Sequence, residues 1–219
     1  MSLHRRASAP PPIDQRSAIL AQAAGLFASK GFPSASMNDV ADAAGLSKAT
    51  LYHYFTDKGE ILKTIADAHV SRLVEVVRDI EALPHAPGDR LELLIAGFMS
   101  EYESAQQAHR VLTEDVRFLE PAAREQILSK ERRVVQAFAD ALAEVRPELK
   151  KAKVDKALTM LLFGMINWMF TWLDANGRLS YEDMAKMVTG LFFRGVLDMP
   201  IAVPARRKRP NRGVSRVAN

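Results

Sequence analysis

The stretch Ser36 to Lys58, SMNDVADAAGLSKATLYHYFTDK, decides how the rest of the 219-residue chain is read. Ser36 followed by Asp39 predicts a capping box, with Asp in the usual Glu place, opening a short helix over Met37 to about Ala44. Val40, Ala43 and Ala44 give that helix an inward stripe. Gly45-Leu46 supplies a turn, Ser47 an N-cap, and a second helix runs from Lys48 to Tyr54 with Leu51 facing inward. Two short helices around a tight glycine turn follow the grammar of a helix-turn-helix. The second helix starts with Lys48, Ala49 and Thr50, small or hydrogen-bonding residues of the kind that read base edges in a major groove. Tyr52, His53, Tyr54 and Lys58 offer donors for phosphates, which fix register without specifying sequence. The aromatic residues would equally suit the core of an ordinary helical bundle, so spacing alone leaves both readings open.

Working outward, Ile19, Leu20, Ala23, Leu26 and Phe27 place a helix over Gln15 to Lys30, opened by Asp14 and closed by Gly31. Asp57 caps a long helix through Leu83 that links two domains. Beyond Pro84–Gly88, helical segments are expected at about Asp89–Gln106, His109–Phe118, Pro121–Glu144, Ala152–Leu173 and Ser180–Leu197, and no segment alternates like a strand. The expected fold is all-α, about nine helices. Its divisions are a flexible basic arm (1–12), a helix-turn-helix domain (13–58), a ligand-binding and dimerisation domain (59–199) and a disordered basic tail (200–219).

Composition narrows the function. With 48% hydrophobic and 26% charged residues the chain has material for a packed core, and wholly disordered or collagen-like classes fall away. Zero cysteines exclude disulfide scaffolds, thiolate metal sites and cysteine nucleophiles, and a reducing cytoplasm fits best. The first twelve residues lack the apolar core of a secretory signal. The longest apolar run, Ala157–Leu173, is broken by Thr159, Asn167 and Thr171 and is too short for a bilayer, so no membrane partner is expected. Net charge is +4, unevenly spread: residues 1–63 hold 7 Lys/Arg against 5 Asp/Glu, residues 64–199 hold 17 against 21, and residues 200–219 hold 6 against none. Basic ends around an acidic middle suit an anionic polymer bound near the ends, although the tail alone could be merely solubilising. No phosphate-cradling glycine motif and no H-E-x-x-H metal pair is present, and His4, His53, His69, His85 and His109 are scattered, so neither an enzyme, a metal nor a cofactor is expected. A helical interaction module would not need Lys48, Thr50, Tyr52, Tyr54 and Lys58 at the tip of a turn-helix unit.

The chain resembles the TetR-type transcriptional repressors. Three stretches carry the likeness: Leu26-Phe27-Ala28-Ser29-Lys30-Gly31-Phe32, Met37 through Ser47, and Leu51-Tyr52-His53-Tyr54-Phe55-Thr56-Asp57-Lys58. The resemblance implies a homodimer on a palindromic double-stranded DNA operator, released when a small effector swings the fourth helix and spoils the spacing of the two readers. It also implies DNA contacts at Ser36, Ser47, Lys48, Ala49, Thr50, Tyr52, His53, Tyr54 and Lys58, with Lys48 and Thr50 nearest the bases. Gly59 departs from the acidic residue common at its position, which would loosen the start of the fourth helix.

One short helix reads only a few base pairs, so useful affinity independently calls for two half-sites and hence a dimer. The last two helices are the candidates for its interface, through Leu162, Met169, Met187, Leu191 and Phe192. An effector lining is read in Phe98, Tyr102, Phe118, Met165, Trp168 and Trp172, with Asn167 as a polar group needing a partner. From His109 to Arg133, the cations Arg110, Arg117, Arg124, Lys130, Arg132 and Arg133 would suit phosphates, coenzyme A above all, although interleaved acids allow ordinary surface pairing. Arg133 is the cation assigned to the ligand. The stretch Leu112 to Phe170, notably Phe163–Phe170, also looks like the sensor domains of TetR-type regulators of fatty-acid, steroid or aromatic-acid catabolism, which implies an acyl-CoA or aromatic CoA thioester as effector. The alternative is an efflux or detoxification repressor released by a hydrophobic drug or another lipophilic ligand. Gly164 marks either close helix approach or room for a ligand tail.

Overall fold

The computed structural model describes residues 14–174 and 177–199. The expected basic arm and basic tail lie outside the described residues. Ten α-helices and two 3₁₀ turns make up the described chain, with no strand among them. In order they are α1 (Gln15–Lys30), α2 (Met37–Ala43), α3 (Lys48–Tyr54), α4 (Lys58–Glu81), α5 (Asp89–Ser104), α6 (Gln106–Asp115), the turn Val116–Phe118, α7 (Pro121–Val145), α8 (Glu148–Lys151), α9 (Asp155–Ile166), the turn Met169–Thr171 and α10 (Tyr181–Asp198).

Helices α2, α3 and α4 begin where their caps dictate, whereas Asp14, expected to open α1, makes no side-chain capping bond. The Ser36 hydroxyl accepts from the Asp39 amide while the Asp39 carboxylate accepts from the Ser36 amide, closing the capping box of α2. Ser47 accepts from the Thr50 amide at α3, and Asp57 from the Glu60 amide at α4. Gly45, at φ +66°, takes a backbone conformation that side chains with a Cβ resist, so the turn between α2 and α3 needs it.

Later boundaries correct the sequence reading, which gives nine helices instead of ten. One helix was expected over Ala152–Leu173, but two breaks fall inside or beside it. Lys153 sits at φ +58°, separating the short α8 from α9. After Ile166 the chain tightens into a 3₁₀ turn in which the Thr171 hydroxyl donates to the Trp168 carbonyl at 2.7 Å, an alternative to helical bonding. The segment expected over His109–Phe118 begins instead at Gln106 and turns 3₁₀ at Val116.

The long α4 is the axis of the fold, packed by α1, α5, α6 and α7, while α9 lies on α7 and α10 on α5. A Cβ at Gly97 would lie 2.8 Å from Val76 Cγ1, so the absence of a side chain there lets α5 approach α4 closely. One continuous core runs from Ile19 and Phe27 through Leu51, Phe55, Ile61 and Leu62 to Phe98, Phe138 and Phe192. Each large side chain fully buried in it contributes about 1.5–3 kcal/mol. The core therefore ties the first three helices firmly to α4. No helix among the described residues is long and apolar enough to cross a membrane.

Candidate nucleic-acid interface and effector cavity

Leu51 and Phe55 are fully buried, and they anchor α3 so that its opposite side faces outward. Lys48, Ala49, Thr50, Tyr52 and His53 are exposed there; Tyr54 is half-buried against the core, with its ring edge-on to His53 at 5.5 Å. Lys48 Nζ lies 5.9 Å from the centre of the Tyr52 ring, a cation resting on an aromatic face. The hydroxyls of Ser47 and Thr50 hydrogen-bond each other at 2.8 Å, which fixes Thr50 at the first turn of α3. Ser36 is held by Asp39, whose carboxyl is pulled well below the usual carboxylate range by Lys30, 2.9 Å away, and by the Ser36 hydroxyl and amide.

Lys58 departs from its expected place. Its Nζ donates to the carbonyls of Phe32 (3.1 Å), Pro33 (3.2 Å) and Ala35 (2.9 Å) and lies 4.6 Å from the centre of the Phe32 ring. An ammonium has three N–H donors, so all are engaged within the protein. In this structure Lys58 clamps the α1–α2 loop onto the start of α4. Its place beside the Asp57 cap was legible; its partners, more than twenty residues away, were not.

Behind this head lies a cavity of about 750 Å³ enclosed mainly by α4–α7 and α9. Of the expected ligand residues, Phe98, Tyr102, Phe118, Asn167 and Trp168 line it. Three do not. Met165 stands two residues from the lining Phe163, about 200° around the helix, and faces out. Trp172 is 55% exposed beyond the 3₁₀ turn, and Arg133 belongs to a separate shallow groove with Ser71, Val74, Glu75, Ser129 and Lys130.

The cations also divide. Arg117 and Arg124 line the cavity, whereas Arg110 pairs with Glu114, Lys130 with Asp67 and Arg132 with Glu125. On α7 the lining residues Arg124, Leu128, Glu131 and Val135 recur at intervals of four, three and four. That stripe was readable in the sequence and was missed.

A polar cluster sits in the otherwise apolar wall. The Tyr102 hydroxyl donates to Asn167 Oδ1 at 2.7 Å, and the Tyr102 ring stacks on His109 at 3.7 Å. His109 Nδ1 and His69 Nε2 share a hydrogen bond of 3.3 Å. Burial lowers the pKa of His69 to about 4; burial, aided by the neighbouring His69, lowers that of His109 to about 3. Both rings are therefore neutral at pH 7. Burial and the Glu131 charge push the Tyr102 hydroxyl far up, so it stays a donor.

The cavity reaches the reading head. Gly31 and Pro33 form part of its wall, Phe118 stacks on Phe32 at 5.8 Å, and the Phe32 backbone lies near Asp115 at the end of α6.

For the expected dimer residues the outcome is mixed. Leu162, Met169 and Phe192 are buried in the protomer's own core because they lie on the inward sides of their elements, which corrects their assignment to an interface. Met187 and Leu191 are 49% and 66% exposed, beside Leu161 at 64%. Gly164 meets nothing within 4 Å of where a Cβ would stand, so it makes no close helix approach within the protomer.

Residues 84–196 match the family described as "Tetracyclin repressor-like, C-terminal domain", and residues 19–65 match "Bacterial regulatory proteins, tetR family". The chain belongs to the TetR family. A TetR-family regulator from Bordetella parapertussis superposes with a TM-score of 0.81 at 31% identity, covering 87% of this chain and all of that one. The transcriptional activator FasR of Mycolicibacterium smegmatis is 28% identical over 142 residues, 65% of this chain and 63% of FasR, so the match spans less than two thirds of that relative. AibR, solved with isovaleryl coenzyme A and operator DNA, has a TM-score of 0.70 at 21% identity over 81% of this chain and 97% of AibR, a likeness of fold. The TetR family comprises DNA-binding transcriptional regulators.

Proposed function

We propose that the protein acts in the cytoplasm as a homodimeric repressor on a palindromic operator, and that an effector in the 750 Å³ cavity releases it. In this reading residues 13–58 read DNA and residues 59–199 bind the effector and the second protomer. Lys48, Ala49 and Thr50 meet base edges, while Ser36, Ser47, Tyr52, His53 and Tyr54 meet the backbone. The interface forms on the exposed apolar side of α9 and α10, around Leu161, Met187 and Leu191, where Gly164 and Gly190 leave room for close approach.

The observation that carries this reading is the shared wall. Phe118 belongs to the cavity and stacks on Phe32, which Lys58 holds at the start of α4. A ligand that displaces the Val116–Phe118 turn pushes on the α1–α2 loop and on α4 together, which changes the separation of two reading helices and so their fit to successive major grooves.

For the effector, a CoA thioester is favoured: Arg117 and Arg124 offer forked donors for phosphate beside an aromatic chamber, and the fold neighbour AibR holds isovaleryl coenzyme A. Glu114 and Asp115 in the same lining disfavour phosphate and so favour the second reading, a hydrophobic drug or other lipophilic ligand. A gel-shift series with acyl-CoA thioesters, the matching free acids and cationic drugs tests both. Release by thioesters is expected; release by free acids or drugs alone would remove the CoA proposal.

A further inference from the structure

Three polar side chains of the cavity wall gather around Tyr102 with hydrogen-bonding capacity to spare. His109 is 2% exposed, and its Nε2, with the Asn167 backbone nearby, makes no hydrogen bond of normal geometry. Asn167 gives its Oδ1 to the Tyr102 hydroxyl, which leaves its amide N–H groups with no partner among the described residues. Glu131 is half-buried, has no ion pair or hydrogen bond among the described residues, and lies close enough for its charge to act on the Tyr102 hydroxyl. All three line the cavity, amid Phe98, Phe163 and Leu128.

A chamber meant for a plain alkyl chain gains nothing from such groups, because each one left without a partner penalises the bound state. A hydroxyl resolves the mismatch, since it donates to the Glu131 carboxyl and accepts from the Asn167 amide. An ammonium, which has donors and no acceptor, would satisfy Glu131 and leave the Asn167 amide without a partner.

We propose that the effector carries a hydroxyl on the lipophilic part of its body, bound between Glu131 and Asn167 beside Tyr102, and that this group sets specificity. The proposal rests on the cavity being the effector site. Burial raises the pKa of Glu131, and a protonated carboxyl would still both donate to and accept from a hydroxyl.

The test compares two probe pairs on the full chain: decanoyl-CoA against its terminally hydroxylated analogue, and decanoic acid against its terminally hydroxylated analogue. Calorimetry reads binding and fluorescence anisotropy reads operator release. The hydroxylated member of at least one pair is expected to act at about 30-fold lower concentration. Glu131→Leu should shrink that ratio to below about threefold by weakening the hydroxylated probe alone, while Glu131→Gln, which still hydrogen-bonds, keeps most of it. Preference in the acid pair with inactive thioesters would end the CoA reading and leave this proposal standing. Equal action of both members in both pairs, bound or unbound, would overturn it. So would release by a decylammonium probe that Glu131→Gln and Glu131→Leu abolish alike, which would assign Glu131 to a cation.

Discussion

The reading head and the effector chamber are built by different rules. In the head, structure is fixed locally: Ser36 with Asp39, Ser47 with Thr50 and Asp57 with Glu60 all act across three residues. In the chamber the deciding contacts cross the chain. His69 meets His109 forty positions on, and Tyr102 meets Asn167 sixty-five positions on. The head presents a locally capped outer surface, whereas the chamber encloses polar groups with unused bonding capacity. Local caps make a dependable probe; long-range packing makes a site that a ligand can rearrange.

Lys58 joins the two regions, and breaking it gives the largest expected effect. Lys58→Ala leaves three backbone carbonyls without their donor and should lower stability by about 3 kcal/mol in denaturant unfolding. Unchanged stability with a smaller salt dependence of DNA binding would return Lys58 to the phosphate role.

The next effect belongs to the chamber. The folded-state pKa values of His69 and His109 lie below the usual 6.5, so the unfolded chain binds more protons between that value and about 4. Stability is therefore full above pH 6.5 and falls with acidification through this window, by about 3 kcal/mol between pH 6.5 and 5 for the two rings together. Melting temperatures of the wild type and of a His69→Gln/His109→Gln double variant check this. The variant should lose most of the slope, and an equal slope in both would place the acid sensitivity elsewhere.

Two smaller effects sharpen the description of the head. Lys48→Ala should weaken operator binding by about 1.5 kcal/mol while affecting random DNA less, read by titration of both at two salt concentrations. Equal losses on both would reduce Lys48 to a phosphate contact. Gly45→Ala forces a Cβ to φ +66° and should cost about 1 kcal/mol of stability; space is not the obstacle, since nothing lies within 4 Å. A stability equal to that of the wild type would show that the turn relaxes freely.

The same contrast explains what the sequence discloses. The bounds of α1 and α3 and the cap of α2 follow from neighbours three or four residues apart, so a single pass along the chain finds them. The stripe Arg124, Leu128, Glu131 and Val135 on α7 was equally periodic, but its charges disguised it as a solvated face. The break after Ile166 and the outward turn of Trp172 had no glycine or proline to announce them. Burial of Leu162, Met169 and Phe192 depends on which side of each helix the rest of the protein covers, which spacing alone does not reveal. The Lys58 clamp and the His69–His109 pair exist only once the chain has closed.

The central claim is that two reading helices stand one DNA turn apart and that cavity occupancy changes their separation. The chain has no cysteine, so Ala49→Cys gives one labelling site per protomer at the exposed start of α3. Dipolar electron resonance between two spin labels at that position, with and without a releasing effector, measures the distance directly. A narrow separation of about 35 Å is predicted without ligand, changing by several ångströms with it. Absence of dipolar coupling, or an identical distance in both states, would contradict the account.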